Sequence, residues 1–155
     1  MFEQGKAVPV SELPGMVGTQ LEPSEWFEVS QDRVNQFADA TNDHQFIHID
    51  PERAKQTPFG GPIAHGFLTL SLLSYLNAKT SIVPEGMKVV INYGSDKVRY
   101  LAPVPVGARI RTQQKVAEVT EKKPGQWLVK NEVTVEIEGS ETPALIAEIL
   151  FMYFV

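Results

Sequence analysis

The chain has 155 residues, which is the length of one domain, and 43% hydrophobic with 21% charged residues is the composition of a globular chain rather than a disordered one. The absence of cysteine excludes disulfide frameworks, thiolate zinc sites and cysteine nucleophiles, and it favours a reducing cytoplasm. A net charge of −5 argues against a surface that coats nucleic acid.

Residues 1–24 contain three prolines and several glycines, so we predict an irregular lead-in to a single domain over residues 1–155. The first residues, 1–4, have neither the basic start nor the apolar stretch of a secretory peptide. Apolar runs of about 18 residues are also missing, so we expect no membrane-spanning segment.

Residues 25–29 are compatible with a short strand. Ser30 is a plausible N-cap, and the apolar residues that follow recur at helical spacing, which predicts a helix over residues 31–40. Asp50 followed by Pro51 is typical of a second helix start, with the carboxylate as cap and proline at the first helical position.

A nearly uninterrupted apolar stretch covers residues 63–78, after a proline- and glycine-rich loop over residues 57–62. A helix that is apolar on every face is buried, and this one is too short to cross a bilayer. We therefore predict a helix in the middle of the core.

The second half changes to the two-residue period of strands, with turns at residues 121–125 and 138–141. The predicted strands cover residues 88–92, 96–101, 108–120, 127–138 and 144–154. We therefore predict an α+β architecture in which an antiparallel sheet wraps around the buried helix. This arrangement accounts for the apolar helix of the first half and the strands of the second half.

Polar side chains gather between Thr41 and Gly66, and Asp43 and His48 are the notable pair among them. A carboxylate and an imidazole that face one water molecule form an acid/base pair suited to neutral pH. The alternative is that Asp43 caps a turn and His48 is a loop histidine with a structural hydrogen bond, because both residues are common in loops.

The residues from Gly60 to Gly66 open the apolar helix. The first amides of a helix have no partner within it, so an N–H beside Gly66 could stabilise an electron-rich carbonyl oxygen, unless this is a plain structural turn. His65 is expected to form a hydrogen bond to the backbone at the helix start, and a chemical role is the alternative. Some of these side chains could instead bind a metal ion, with His44, His48 and His65 as ligands together with Asp43 or Asp50. Their spacing matches no metal-binding motif, so we expect no metal.

Four basic residues on the predicted strands are expected to be solvated charges, one or two of which could meet a cofactor phosphate: Lys97, Arg99, Arg109 and Arg111. Glycine-rich nucleotide motifs and the Gly-x-Ser-x-Gly motif are absent, which argues against a dinucleotide enzyme, an NTPase and a serine hydrolase.

Residues 37–54 and 59–67, together with residues 98–104 and Gly107, resemble the MaoC-like dehydratases, in particular the branch that includes nodulation protein N. These are (R)-specific enoyl-CoA hydratases with a hot-dog fold. The signature of the family is an aspartate, an asparagine two residues later and a histidine five residues after the aspartate. Asp43 and His48 occupy the outer positions, whereas Gln45 stands at the asparagine position. Asn42 and Phe46 also replace the glycine and proline that the family often has.

The resemblance implies a homodimer and the reversible hydration of a trans-2-enoyl-CoA to the (R)-3-hydroxyacyl-CoA, with the coenzyme A thioester as substrate and no separate cofactor. It implies that Asp43 and His48 hold the reacting water, that the Gly66 amide polarises the thioester carbonyl, and that the side-chain amide of Gln45 orients the catalytic pair. An acyl-CoA thioesterase and a non-catalytic acyl-thioester binding subunit remain as alternatives.

Overall fold

The computed structural model describes residues 5–155, so the prediction that residues 1–4 belong to no secretory peptide lies outside the described residues. Its centre is a five-stranded antiparallel sheet in the order β2-β5-β6-β7-β4. The strands are β2 (Phe27–Glu28), β4 (Val89–Tyr100), β5 (Arg109–Lys123), β6 (Gln126–Ile137) and β7 (Leu145–Phe154). Strands β5, β6 and β7 therefore form the predicted antiparallel meander, whereas β4 pairs with β7 and not with the next strand in the chain, β5.

The prediction of an irregular lead-in over residues 1–24 is wrong for residues 6–8 and 10–16, whereas residues 17–24 are irregular apart from an isolated bridge between Gln20 and Lys115. Strand β1 (Lys6–Val8) pairs in parallel with β3 (Ile82–Pro84), and Val10–Met16 forms a 3₁₀ helix. Leu13 of this helix is completely buried. These elements form because they pack against distant parts of the chain, and local proline and glycine content gives no sign of that packing.

Three helices precede the central one. The predicted helix over residues 31–40 is α1 (Gln31–Thr41), and the Ser30 hydroxyl accepts a hydrogen bond from the Arg33 N–H as expected of an N-cap. Helix α2 (Phe46–Ile49) was not predicted. Helix α3 (Pro51–Ala54) begins as predicted, with the Asp50 carboxylate accepting from the Arg53 N–H at 3.1 Å.

The apolar stretch forms two consecutive short helices, α4 (Gly66–Ser71) and α5 (Leu73–Leu76), which begin later than the predicted residue 63. Ile63 instead forms a β-bridge with Pro105. The prediction that this segment is buried all round is also wrong, since Phe67 is 70% exposed and Tyr75 is 51% exposed. Only the inner face of the segment is buried. Its leucines pack into the core with the sheet, namely Leu68, Leu72, Leu73 and Leu76.

Strand β4 replaces the two separate strands predicted over residues 88–92 and 96–101. Its pairing with β7 is irregular between Asn92 and Gly94 and again between Ser95 and Lys97. Bulges of this kind let a strand bend while it continues. Gly94 and Ser95 therefore mark a bend in one strand, where the sequence alone indicated a break.

The core lies between the inner faces of helices α4 and α5 and the concave face of the sheet. Its buried members come from nearly every element, including Leu13, Val34, Ile110, Val133 and Leu145. Between residues 5 and 155, no helix is long and apolar enough to cross a membrane.

Candidate active site

The loop between α1 and α3 positions both predicted catalytic residues. Helix α1 ends at Thr41, and Asn42 adopts a left-handed conformation with φ of 58°, which turns the chain away from the helix axis. Asp43 follows directly in the loop, and His48 lies in the short helix α2. The turn at Asn42 and the single turn of α2 thus bring a carboxylate and an imidazole to one place, which their spacing allowed but did not require.

His48 is buried, with only 6% of its surface exposed. Its Nδ1 lies 2.6 Å from the backbone carbonyl oxygen of Ile63, and because a carbonyl only accepts, Nδ1 carries the proton. Nε2 therefore keeps its lone pair. Burial lowers the pKa of His48, and the nearby His65 lowers it further, against the opposing effects of the Ile63 carbonyl and Asp43. His48 is held as a neutral base with a fixed tautomer.

Asp43 is exposed, and it is joined to His48 through the backbone of Gln45. The Gln45 N–H donates to Asp43 Oδ1 at 3.4 Å, and the Gln45 carbonyl accepts from the His48 N–H at 3.0 Å. The structure does not show the side-chain amide of Gln45 orienting the pair, as the sequence led us to expect. That side chain is exposed and has no hydrogen bond to any residue of the described chain, so the backbone makes the connection.

His65 is the site residue whose role the sequence did not reveal. Its Nε2 donates to the backbone carbonyl of Asp43 at 3.0 Å, and its ring stacks on that of His48 with centroids 3.9 Å apart. Phe37 lies against the other side, 5.0 Å away. A backbone hydrogen bond was expected for His65, but at the helix start, whereas the acceptor lies 22 residues earlier in the loop. The Ala64-His65-Gly66 sequence was the only available signal.

Gly66 is the first residue of α4, so its N–H has no partner within the helix. A Cβ at this position would lie 2.9 Å from a ring carbon of Tyr100, so the ring covers the glycine closely. Gly66 and His48 line the same cavity of about 360 Å³, together with Phe59, Tyr100 and Leu101. The glycine singled out in the sequence and the imidazole of the acid/base pair therefore line one cavity.

The side chains of Asp43, His48 and His65 each place one possible ligand atom within 4.8 Å of the others. Two imidazoles and a carboxylate are a donor set that zinc accepts. The other two residues of the sequence-based metal alternative are engaged elsewhere: His44 Nε2 pairs with Asp39 at 2.8 Å, and Asp50 caps α3. Only three of the five candidate ligands therefore converge.

The basic residues on the strands are mostly paired. Arg109 forms an ion pair with Glu138, Arg111 with Glu136, and Lys97 lies 3.7 Å from Glu148. Arg99 is exposed and donates to the carbonyl of its neighbour Val98. This pattern agrees with the expectation that most of these residues are solvated charges on the sheet surface.

A curled antiparallel sheet around a central helix, with a carboxylate and an imidazole beside the start of that helix, defines a hot-dog α+β enzyme. Residues 12–139 match the family described as "MaoC like domain", and the chain belongs to this family. The expected fold and family are confirmed.

Two curated relatives and one solved structure are similar to this chain over most of its length. The chain is 46% identical over 144 residues to 3-hydroxyacyl-thioester dehydratase Z of Mycobacterium tuberculosis (strain ATCC 25618 / H37Rv), covering 93% of this chain and 95% of that protein. It is 45% identical over 139 residues to Nodulation protein N of Rhizobium leguminosarum bv. viciae, covering 89% and 86%.

The solved structure is the (R)-hydratase from A. caviae involved in PHA biosynthesis, which is similar with a TM-score of 0.70 and 26% identity, covering 87% of this chain and 94% of that one. The family and the named relatives place the chain among the hydro-lyases, the enzymes that add or remove water.

Proposed function

We propose that the protein is an (R)-specific enoyl-CoA hydratase, which reversibly hydrates a trans-2-enoyl-CoA to the (R)-3-hydroxyacyl-CoA. The observation that carries the proposal is the placement of Asp43 and His48. Their possible ligand atoms lie within 4.8 Å, yet no direct hydrogen bond joins the two side chains in the described chain. Hydrogen bonds to oxygen span about 2.7–3.0 Å, so one water molecule fits between them.

In the hydration direction, the water oxygen attacks the β-carbon of the enoyl group while Nε2 of His48 takes one of its protons. The tautomer set by the Ile63 carbonyl leaves that nitrogen free to do so. The proton that His48 has taken is then passed to the α-carbon, a transfer that Asp43 assists, so the hydroxyl group and the hydrogen of one water molecule are added across the double bond and both side chains return to their starting state. Dehydration is the same sequence reversed.

The negative charge that develops on the thioester carbonyl needs a hydrogen-bond donor. The N–H of Gly66 opens α4 without a helical partner, and Gly66 shares the cavity with His48. We assign it to the carbonyl oxygen, because a fixed backbone donor at the point where charge develops stabilises an enolate. Tyr100 packs against Gly66 so closely that any side chain there would have to displace the tyrosine ring.

The test is loss of the enoyl-thioester absorbance when purified protein is mixed with crotonyl-CoA. Asp43→Asn and His48→Gln are expected to lower the rate by about 10²–10⁴-fold each. The chain supplies a matched control in Asp39 and His44, another aspartate and histidine five residues apart, which pair at 2.8 Å outside the cavity. Asp39→Asn and His44→Gln are expected to keep the wild-type rate.

Absence of hydration at every chain length from crotonyl- to hexadecenoyl-CoA would refute the proposal for CoA substrates. Release of free thiol in place of hydration would assign the chain to the thioesterases. Tight acyl-CoA binding without turnover, unaffected by Asp43→Asn, would make it a binding subunit.

We further propose a homodimer joined through the edge of β4. The sheet has two edges, and β2 at one of them has only two residues, whereas β4 at the other has twelve. Val89, Val90, Ile91 and Tyr93 on β4 are all at least 40% exposed. A long apolar edge strand left bare is prone to pair with another strand. A second copy of the chain would cover it.

Sedimentation velocity tests the dimer. Ile91→Lys is expected to convert the protein to a monomer, because it places a charge in the joined edge. Val17→Lys is the control, since Val17 is equally exposed but lies beside β5, where Gly18 bonds to Val116. A wild-type protein that sediments as a monomer at micromolar concentration would contradict the proposed assembly.

A further inference from the structure

The cavity shared by His48 and Gly66 has polar wall groups that the proposed mechanism leaves unassigned. Three of its lining side chains can form hydrogen bonds, namely those of His48, Thr69 and Tyr100, and the other lining residues are apolar or glycine. The few polar groups in a mostly apolar cavity fix the orientation of the molecule that binds there. The two hydroxyl groups therefore need a binding partner.

Thr69 lies in helix α4, three residues after Gly66, and only 3% of its surface is exposed. Its hydroxyl forms no hydrogen bond within residues 5–155. The carbonyl four residues earlier, that of His65, accepts the Thr69 N–H at 3.2 Å but does not accept the hydroxyl. The Thr69 hydroxyl is thus left without a partner in its own helix.

Other hydroxyls on the helices of this chain are satisfied in that way. Ser71, also in α4, donates to the carbonyl of Phe67, and Thr41 of α1 donates to that of Phe37, each at 2.7 Å. Thr69 differs from both of them, because they are exposed and it is buried. A buried hydroxyl without a partner lowers stability, so its retention in a cavity wall points to a ligand.

The Thr69 hydroxyl opens into the cavity. Its oxygen is not among the unpartnered side-chain atoms of the described chain that are sealed from solvent, so the small exposed part of Thr69 includes this oxygen. Thr69 lines the same cavity as His48 and Gly66. Tyr100 differs, because its side chain is 48% exposed and water can satisfy its hydroxyl.

The helix places Thr69 over Gly66. Residues three apart lie on the same side of a helix, about 4.5 Å apart along its axis, and each side chain tilts toward the N-terminus of the helix. The Thr69 side chain therefore leans back toward the first turn of α4, where the N–H of Gly66 has no helical partner. Glycine has no side chain that could stand between the two donors.

We propose, on the basis of the function proposed above, that Thr69 is a further catalytic residue, whose hydroxyl donates a hydrogen bond to the thioester carbonyl oxygen beside the N–H of Gly66. A carbonyl oxygen has two lone pairs, so it accepts from both donors at once. As the water oxygen bonds to the β-carbon, the electrons of the double bond move toward this oxygen. The two donors stabilise that charge until the α-carbon takes its proton. The hydroxyl of Thr69 keeps its own proton throughout.

The first test compares Thr69→Val, which keeps the branched shape and removes the hydroxyl, with Thr69→Ser, which keeps the hydroxyl. Loss of one donor to a developing oxyanion lowers kcat by about 10²-fold, and that is the result expected for Thr69→Val with crotonyl-CoA. KM should change little, because the bond strengthens mainly in the transition state. Thr69→Ser should recover most of the wild-type kcat.

The second test is infrared difference spectroscopy of butyryl-CoA labelled with ¹³C at the thioester carbonyl. This saturated thioester cannot be hydrated, so its carbonyl band reports hydrogen bonding alone. In wild type the band of the bound thioester is expected at lower frequency than in water. Thr69→Val is expected to move it to higher frequency, and Thr69→Ser to restore the wild-type position.

Ser71→Ala is the matched control, since it removes a hydroxyl from the same helix that does not line the cavity. It is expected to keep the wild-type kcat and carbonyl band. Thermal unfolding identifies a structural effect: Thr69→Val removes a hydroxyl that has no partner, so its melting temperature should not fall.

An unchanged carbonyl band in Thr69→Val would overturn the inference whether or not kcat falls, and so would a lower melting temperature with unchanged kcat. The proposed function is tested separately by hydration of crotonyl-CoA in wild type. If wild type shows no hydration but its carbonyl band shifts through Thr69, the proposed function fails and the assignment of this donor stands.

Discussion

The imidazole rings of His48 and His65 are stacked, with centroids 3.9 Å apart and planes inclined by 26°. Each ring donates one N–H to a backbone carbonyl, His48 to Ile63 and His65 to Asp43. Ile63 precedes the helix that begins at Gly66, and Asp43 lies in the catalytic loop. The stacked pair thus connects the loop that carries the acid/base groups to the segment that carries the proposed oxyanion donor.

We predict that His65 acts as a positioning residue. His65→Phe keeps a ring to stack on His48 but loses the hydrogen bond to the Asp43 carbonyl, and we expect kcat to fall by about 10²-fold because small displacements of catalytic groups are costly. KM should change little. His65→Gln, which keeps an N–H donor, should recover part of the loss. Steady-state kinetics on crotonyl-CoA measures both, and equal kcat in all three proteins would show that the bond to Asp43 has no catalytic role.

The lowered pKa of His48 predicts where activity is lost on acidification. The base must be neutral to accept a proton, and burial followed by the charge of His65 holds its pKa below the usual 6.5. The midpoint of the acid limb of kcat/KM should therefore lie below pH 6.5. In His65→Phe the charge effect is absent, so the acid limb should move toward higher pH. An acid limb above pH 6.5 in wild type would contradict the assignment of His48.

Gly66→Ala tests the contact with Tyr100. The added Cβ would lie 2.9 Å from the ring, so the tyrosine must shift and the cavity changes shape. We expect kcat/KM to fall by roughly tenfold or more. The free energy of unfolding should fall by about 1 kcal/mol, which is small for an overpacked site, because Tyr100 is half-exposed and can move.

Gly61→Ala is the matched control for that substitution. No atom lies within 4 Å of a Cβ at position 61, so the change is expected to be silent in both activity and denaturant unfolding. Wild-type activity in Gly66→Ala would remove the argument that close packing at this amide matters.

Chelation tests the competing use of Asp43, His48 and His65 as metal ligands. In the proposed mechanism the three groups act without a metal, so dialysis against EDTA should leave the hydration rate unchanged. Added zinc should inhibit, because it would occupy the lone pair that His48 needs. Loss of activity on dialysis, restored by a stoichiometric divalent ion, would require a metal-assisted mechanism instead.

Much of the architecture followed from local patterns. The alternation of apolar and polar residues located β5, β6 and β7, and the Ser30 and Asp50 caps located two helix starts. These features depend on neighbours in the chain, which a sequence displays directly. Strands β1 and β4 were harder to predict, because β1 depends on pairing with β3 and β4 on pairing with β7, both distant in the chain.

The sequence by itself determined the family, the place of the central helical segment in the chain and the two residues proposed to transfer protons, since the Asp43–His48 spacing and the Ala64-His65-Gly66 segment are continuous in the chain. Only the tertiary structure decided what each of them touches. Packing between residues distant in the chain joins His65 to Asp43, places Tyr100 against Gly66 and leaves Phe67 exposed. Such contacts depend on how whole elements pack, and packing leaves no local pattern in a single sequence.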